Sequence, residues 1–254
     1  AASDVYKRQA HGMHPVIVDI EAEAIAEAES ALAASAAKAN VTILGAQCDV
    51  SSEESVQAMA ERIDEMFPHK PISLLACNAG VGAGGGVLTA VQSDWDFVLG
   101  VNLMGPVYCI REFVPRMLEQ GAPGSVMATA SQDGLCASQG VYGVSKHACV
   151  ALMEGLHGEV GGRLTTHVLC PNVVATNIVT SERNRPDRYG GPRQAHPGAI
   201  NIQEKFKEHG IPPSQCAEQV FVAMSDGTFY VMAESEDDPG YVHLEVETRM
   251  NSIL

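Results

Sequence analysis

Basic charge is scarce in this chain: 16 lysines and arginines stand against 31 aspartates and glutamates, for a formal net charge of −15 over 254 residues. Nothing basic is clustered, so a phosphate backbone is excluded as the main partner. The acidic excess favours solubility and identifies no substrate. Aromatic residues are few, at 5%. The seven cysteines, at positions 48, 77, 109, 136, 149, 170 and 216, form no C-x-x-C pair and no Cys/His cluster with metal-ligand spacing. No metal site is therefore expected, and the thiols read as small, reduced, buried apolar residues. No apolar run approaches the roughly 18 residues of a membrane helix, and no secretory signal is visible at the start. These two absences make a cytoplasmic protein the expectation. Glycine is missing before Gly12, although the chain has 24 in all.

What is present suits a closely packed helix-on-sheet protein: 46% apolar residues, 19% charged, and abundant glycine and alanine. The length is that of a single α/β domain spanning residues 1–254. Strand-like and helix-like stretches alternate. Residues 14–20 are rich in β-branched side chains, and residues 21–39 are alanine-rich and helical. Residues 41–48 return to strand, and Ser51 with Glu54 three positions later fits a capping box for a helix to about Phe67. Residues 72–77 are a short buried strand, followed by a glycine-rich loop to Gly86. Ser93 is placed to cap a long helix to Glu119. Further strands fall at 125–130, 166–170 and 228–232, and helices at 141–160, 204–209, 214–224 and 242–253. Residues 177–198, with Pro186, Gly190, Gly191, Pro192 and Pro197, form a polar excursion of the kind that serves as a lid, and residues 177–213 are taken as the substrate lid region. This alternation predicts a doubly wound parallel sheet with right-handed crossovers, whose ligands sit at the carboxyl ends of the strands.

Tyr142 and Lys146 lie four residues apart in the predicted helix, hence on one face. A free phenol, with a pKa of about 10, is a poor base near neutrality. A cation beside it favours the phenolate, which would let Tyr142 exchange a proton with an alcohol or carbonyl. Ser131 follows the strand 125–130 directly, so its hydroxyl points into the crevice and is placed to hold a reacting carbonyl oxygen.

Taken together, Asn78-Ala79-Gly80 after a strand, Asn102 in mid-helix, Ser131, Tyr142, Lys146 and Pro171-x-x-x-x-Thr176 resemble the ordered motifs of short-chain dehydrogenases/reductases over residues 14–254. The resemblance implies a Rossmann-like, three-layer α/β/α fold and NAD-dependent interconversion of a secondary alcohol and a ketone. It makes Tyr142 the acid/base. Lys146 lowers the tyrosine's pKa and holds the nicotinamide ribose, and Ser131 orients the substrate. Asn102 interrupts its helix and extends a proton relay through water. Cofactor contacts carry over to Asp19 at the adenosine ribose, Asp49 and Val50 at the adenine, Asn78, Ala79 and Gly80 along the adenosine side, and Val174 with Thr176 at the carboxamide. The Asp19 carboxylate would repel a 2′-phosphate, so NAD is favoured over NADP. Family members commonly form homodimers or homotetramers through the helices corresponding to 95–119 and 141–160.

The chain also departs from the pattern. The nucleotide loop T-G-x-x-x-G-x-G, which would follow a first strand, is not found. Residues 1–9 read as a truncated or non-native start, with native sequence resuming near Ala10. The first strand of this fold is central, so the sheet is expected to lack it. Asn172 replaces the glycine usual after Pro171. Ser131 lies closer to Tyr142 than the family's serine does, and Thr129 fits that spacing better but falls within a strand. Gln132, Leu135, Val141 and the loop from Thr176 to Pro197 are expected to shape the substrate pocket. Arg183 and Arg185 are expected to be solvated or paired with neighbouring acids, the alternative being an acidic substrate group. The rival function is a non-catalytic dinucleotide-binding or oligomerisation module. A reductase of carrier-bound acyl chains would need a basic docking patch, and none is evident.

Overall fold

The computed structural model describes residues 12–138, 140–195, 197–235 and 241–253. The expected non-native start, residues 1–9, lies outside them. In chain order the elements are β1 (Val16–Asp19), α1 (Ala22–Ala39), β2 (Leu44–Gln47), α2 (Glu53–Met66), β3 (Leu74–Cys77), α3 (Gln92–Leu99), a π-helical turn (Gly100–Met104), α4 (Gly105–Glu119), β4 (Ser125–Thr129), α5 (Gly140–Val160), β5 (Thr165–Leu169), α6 (Pro197–His209), α7 (Pro213–Asp226), β6 (Tyr230–Val231) and α8 (Tyr241–Ile253). Short 3-10 turns at Ile178–Asn184 and Asp187–Tyr189 order the polar excursion.

All strand pairs are parallel. The side-chain period of two divides the core between the two faces. Val126, Ala128 and Val168 pack with α2, α4 and α5 through Met59, Phe113 and Met153. Met127 and Leu169, one residue out of phase, pack with Val220 and Ala223 of α7. On β2, Ala46 joins the α2 side, while Gly45 faces α1 so closely that a Cβ would lie 2.4 Å from Ile25. The result is three layers, α/β/α, around a parallel sheet.

That sheet is split. One fragment is β1 with β2; the other runs β3–β4–β5–β6. Among the described residues β1 and β3 each have one neighbour.

Several local expectations are corrected. The cap of α2 is Ser52, whose hydroxyl accepts the Ser55 amide at 3.2 Å; Ser51 donates its hydroxyl to Asp49 instead. Ser93 does not cap α3, which begins one residue earlier. There the Asp94 carboxylate accepts the Val91 amide at 3.2 Å. α6 starts at Pro197 rather than 204, because proline is well suited to the first helical position, where no amide is needed. The helical run 92–119 is long and apolar enough to cross a bilayer by length and composition, although Asp94, Asp96, Arg111 and Glu112 leave no uninterrupted apolar run of 18 residues in it. Its buried residues, among them Phe97, Val98, Phe113 and Met117, pack inside the protein.

Candidate active site

One cavity of about 1350 Å³ opens at the carboxyl ends of the strands. It is lined by Asp19, Asp49, Val50, Asn78, Ala79, Gly80, Ser131, Tyr142, Lys146, Val174 and Thr176, which is every anticipated site residue except Asn102.

Helix α5 supplies the central pair. It begins at Gly140, with φ of 73°, where a Cβ would come within 2.2 Å of the Gly85 carbonyl. Only glycine permits that approach, and it brings the first turn of α5 onto the loop after β3. One turn later Tyr142 and Lys146 share a face, with the Lys146 Nζ 5.6 Å from the centre of the phenol ring. Lys146 is buried, and its Nζ donates to the Thr129 carbonyl at 2.9 Å at the end of β4. The Ser131 side chain lies beside the Tyr142 phenol and favours its ionised form, and its hydroxyl accepts the Asp133 amide at 3.2 Å. Thr129, the alternative by spacing, donates its hydroxyl to Asn78 Oδ1 at 2.8 Å and does not hold the tyrosine.

The electrostatics differ from the sequence expectation. Burial pushes the Tyr142 phenol up to about 12, outweighing the opposing effect of Ser131. Burial also lowers the Lys146 pKa. Desolvation penalises both charged forms, and the ammonium is directed at a backbone carbonyl rather than at the phenol oxygen. The expected downward pull on the tyrosine is not the dominant effect in this arrangement.

Asn102 lies behind the cavity. It sits in the π-helical turn, whose wide ring turns its side chain towards the loop after β3. Its Oδ1 accepts the Val81 amide at 2.8 Å, and its Nδ2 donates to the Val81 carbonyl at 3.0 Å and to the Ser145 hydroxyl at 2.9 Å. The side chain thus ties the loop after β3 to α5, bringing Gly80 beside Lys146. A Cβ on Gly80 would stand 3.4 Å from the Lys146 Nζ. Leu135 and Val141 do not line the cavity: Val141 packs with Val81, Phe97 and Val98, and Leu135 lies against the main core. Gln132 does line it.

The adenosine end carries two acids. Asp19 is exposed, and its Oδ1 accepts the Glu21 amide at 2.9 Å. Asp49 accepts Ser51 through Oδ1 and Arg188 through Oδ2, the latter at 2.7 Å. Sequence reasoning missed how the lid reaches these strands. Arg183 and Asn184 both donate to Glu21 Oε1, at 2.7 and 2.6 Å. Arg185, fully buried, pairs with Asp94 at 2.9 Å and Glu182 at 2.7 Å. Its guanidinium also stacks 4.6 Å from the Phe97 ring centre. Both arginines are therefore paired with acids. Alternating charge in residues 182–188 was the available signal; the distant partners were not legible. At the other end, Gln203 of α6 donates to the Thr176 carbonyl and so fixes the turn after β5. Among the described residues no group of His, Cys, Asp and Glu could hold a metal ion. All seven cysteines are free and buried.

This arrangement can exchange a proton at the phenol, hold an oxygen at Ser131 and accept hydroxyl bonds at Asp19. The cavity, the buried Lys146 ammonium on its wall and the exposed strand-end carboxylate of Asp19 fit a nicotinamide dinucleotide. The protein is 29% identical over 229 residues, 89% of its own length and 73% of the other's, to "C alpha-dehydrogenase" of Sphingobium sp. strain NBRC 103272 / SYK-6. It is 29% identical to meso-2,3-butanediol dehydrogenase of Serratia marcescens, covering 84% of this chain and 80% of that one. A short chain dehydrogenase/reductase from Burkholderia phymatum, solved in complex with NAD, superposes with a TM-score of 0.87 at 32% identity, over 99% of this chain and 89% of that one. The family model for short chain dehydrogenases matches residues 5–187. The chain belongs to the short-chain dehydrogenase/reductase family of oxidoreductases.

Proposed function

We propose that this oxidoreductase interconverts a secondary alcohol and a ketone with NAD. The observation that carries the proposal is the meeting of Ser131, Tyr142 and Lys146 at the carboxyl end of β4, on the wall of the cavity. The nicotinamide, when bound, takes or returns the hydride. Tyr142 exchanges the hydroxyl proton, and Ser131 donates a hydrogen bond to the same substrate oxygen as charge develops there. Lys146 stands where it can hold ribose hydroxyls, with its Nζ 5.6 Å from the centre of the phenol ring. Asn102 acts as a positioning residue, because its side chain is spent on Val81 and Ser145.

NAD is favoured over NADP by the Asp19 carboxylate, exposed at the end of β1, and the Burkholderia phymatum neighbour was solved with NAD. Asp49, Val50, Asn78, Ala79, Gly80, Val174 and Thr176 are assigned to the remaining cofactor contacts. The whole of 1–254 is read as one dinucleotide-binding domain with residues 177–213 as its lid. Assembly through α4 and α5 fits the exposed Val144 and the open space beside Gly155 and Gly158 on α5.

The test is a panel of secondary alcohols with NAD, followed by NADH formation, in wild type and Tyr142→Phe. Turnover lost by a factor of about 10²–10⁴ in the variant, with NADH binding retained, is the expected result. Equal turnover in the two proteins would remove Tyr142 from the chemistry. NADH binding with no turnover of any substrate by either protein would favour the non-catalytic module.

A further inference from the structure

Among the described residues the cavity is lined by five acids: Asp19, Glu21, Asp49, Asp133 and Glu182. Three are neutralised by arginines of the excursion after β5. Glu21 pairs with Arg183, Asp49 with Arg188 and Glu182 with Arg185. Asp19, at the adenosine end, is assigned above to the ribose. Asp133 is left over. It is half-buried, yet its carboxylate makes no hydrogen bond or ion pair among the described residues; its amide donates to the Ser131 hydroxyl at 3.2 Å. The cations on the same wall are engaged elsewhere. Lys146 bonds the Thr129 carbonyl, Arg183 holds Glu21, and Arg193 pairs with Asp94 at 2.7 Å. Arg249 of α8, which shares the neighbourhood of the Cys136 thiol with Asp133, donates to the Leu135 carbonyl at 2.6 Å.

Asp133 stands close to the proposed chemistry. It lies two residues after Ser131, in the 3-10 turn Gln132–Gly134. Burial dominates the pKa of both Tyr142 and Lys146, and the Asp133 charge adds a smaller upward push to each. A carboxylate partly withdrawn from water without a partner is costly, and a cation brought to it offsets that cost. We infer that Asp133 is a specificity-determining residue for a cationic substrate, an alcohol carrying an ammonium group close to its carbinol carbon. The inference rests on the proposed reaction, which places the carbinol at Ser131 and Tyr142. The same charge disfavours substrates with a carboxylate at that position. Helix α6 presents Ala199, Ile202 and Phe206, at helical spacing, to the cavity, an apolar surface for the rest of such a molecule. An aryl amino alcohol meets both requirements.

Three alcohols that differ in one group form the test, each oxidised with NAD by the full chain and by Asp133→Asn: 2-amino-1-phenylethanol, protonated at neutral pH; 1-phenyl-1-propanol, with methyl in place of ammonium; and the anion 3-hydroxy-3-phenylpropanoate. The ratio of kcat/KM for the amino alcohol to that for the neutral alcohol should fall by at least about tenfold in the variant, as loss of a charge-assisted hydrogen bond requires. The anion should be the poorest substrate of the unsubstituted chain and should improve in the variant. Comparing ratios between the two proteins cancels the intrinsic reactivity of each alcohol. Calorimetry of the amino alcohol against both proteins should show the same loss of affinity, and it needs no turnover. An unchanged ratio together with equal affinity in the two proteins would overturn the inference and leave Asp133 a solvated acid. So would the absence of measurable amino alcohol binding to the unsubstituted chain. Failure of the proposed reaction looks different: no alcohol is oxidised by either protein, and the calorimetric comparison alone then decides for or against Asp133.

Discussion

The Tyr142 phenol and the Lys146 ammonium occupy one face of α5, yet the balance between them is set by burial rather than by their mutual attraction. The phenol is pushed up to about 12, and the ammonium is spent on the Thr129 carbonyl. An acid with a raised pKa holds its proton to higher pH, so on the proposed mechanism Tyr142 would serve as proton donor to a ketone at neutrality. The rate of reduction should accordingly stay level between about pH 6 and pH 9 and fall only at higher pH. A decline centred near pH 7 would show that the lysine wins after all. Replacing Lys146 with Met should raise the Tyr142 pKa no further than burial already has, while weakening NADH binding by about tenfold through loss of its ribose contact; titration calorimetry checks the second effect. The spacing of Tyr142, Lys146 and Ser131 was legible in the chain because a helical turn and a strand end place residues by counting. The sign of the tyrosine shift was not legible. It depends on how completely neighbouring segments cover the phenol, and no local pattern records that.

Single elements show the same division. The π-helical turn exists to aim Asn102, whose three hydrogen bonds join the loop after β3 to α5. Asn102→Ala leaves buried partners unsatisfied and should cost about 2–4 kcal/mol in denaturant unfolding, with loss of activity through misplacement of Gly80 and Lys146. The polar excursion after β5 is held by Arg185, which has no exposed side-chain surface and bonds Asp94, Glu182 and the carbonyls of Ser93 and Tyr189. Arg185→Met removes a buried guanidinium and leaves Glu182 without its partner, while Asp94 keeps Arg193 at 2.7 Å; the loss should be about 3 kcal/mol by thermal or denaturant melts. Strand and helix periodicity located nearly every element, since the alternation of buried and exposed positions is written locally. Caps were less secure: Ser51 and Ser93 have the right chemistry, but Asp49 claims Ser51 and Asp94 serves the α3 terminus. A polar excursion could be recognised from its prolines and glycines. Its attachment to Glu21, Asp49 and Asp94 could not, because those partners lie far away in sequence.

Across the described residues, a doubly wound parallel sheet in two fragments gathers the candidate site at the carboxyl ends of its strands. The alternation of strands and helices was legible along the chain; the shape and lining of the cavity needed the structure. The proposed preference for NAD rests on the Asp19 carboxylate at the end of β1. On that proposal, Asp19→Ser should bring NADP affinity to within about tenfold of NAD affinity, with a larger difference expected for the unsubstituted protein. The most direct measurement of the central claim is deuterium transfer from a secondary alcohol labelled at its carbinol carbon. Label should appear on the nicotinamide ring with the wild-type chain, and fail to appear with Tyr142→Phe although that variant still binds NADH. Label transferred equally well by the variant would contradict the account.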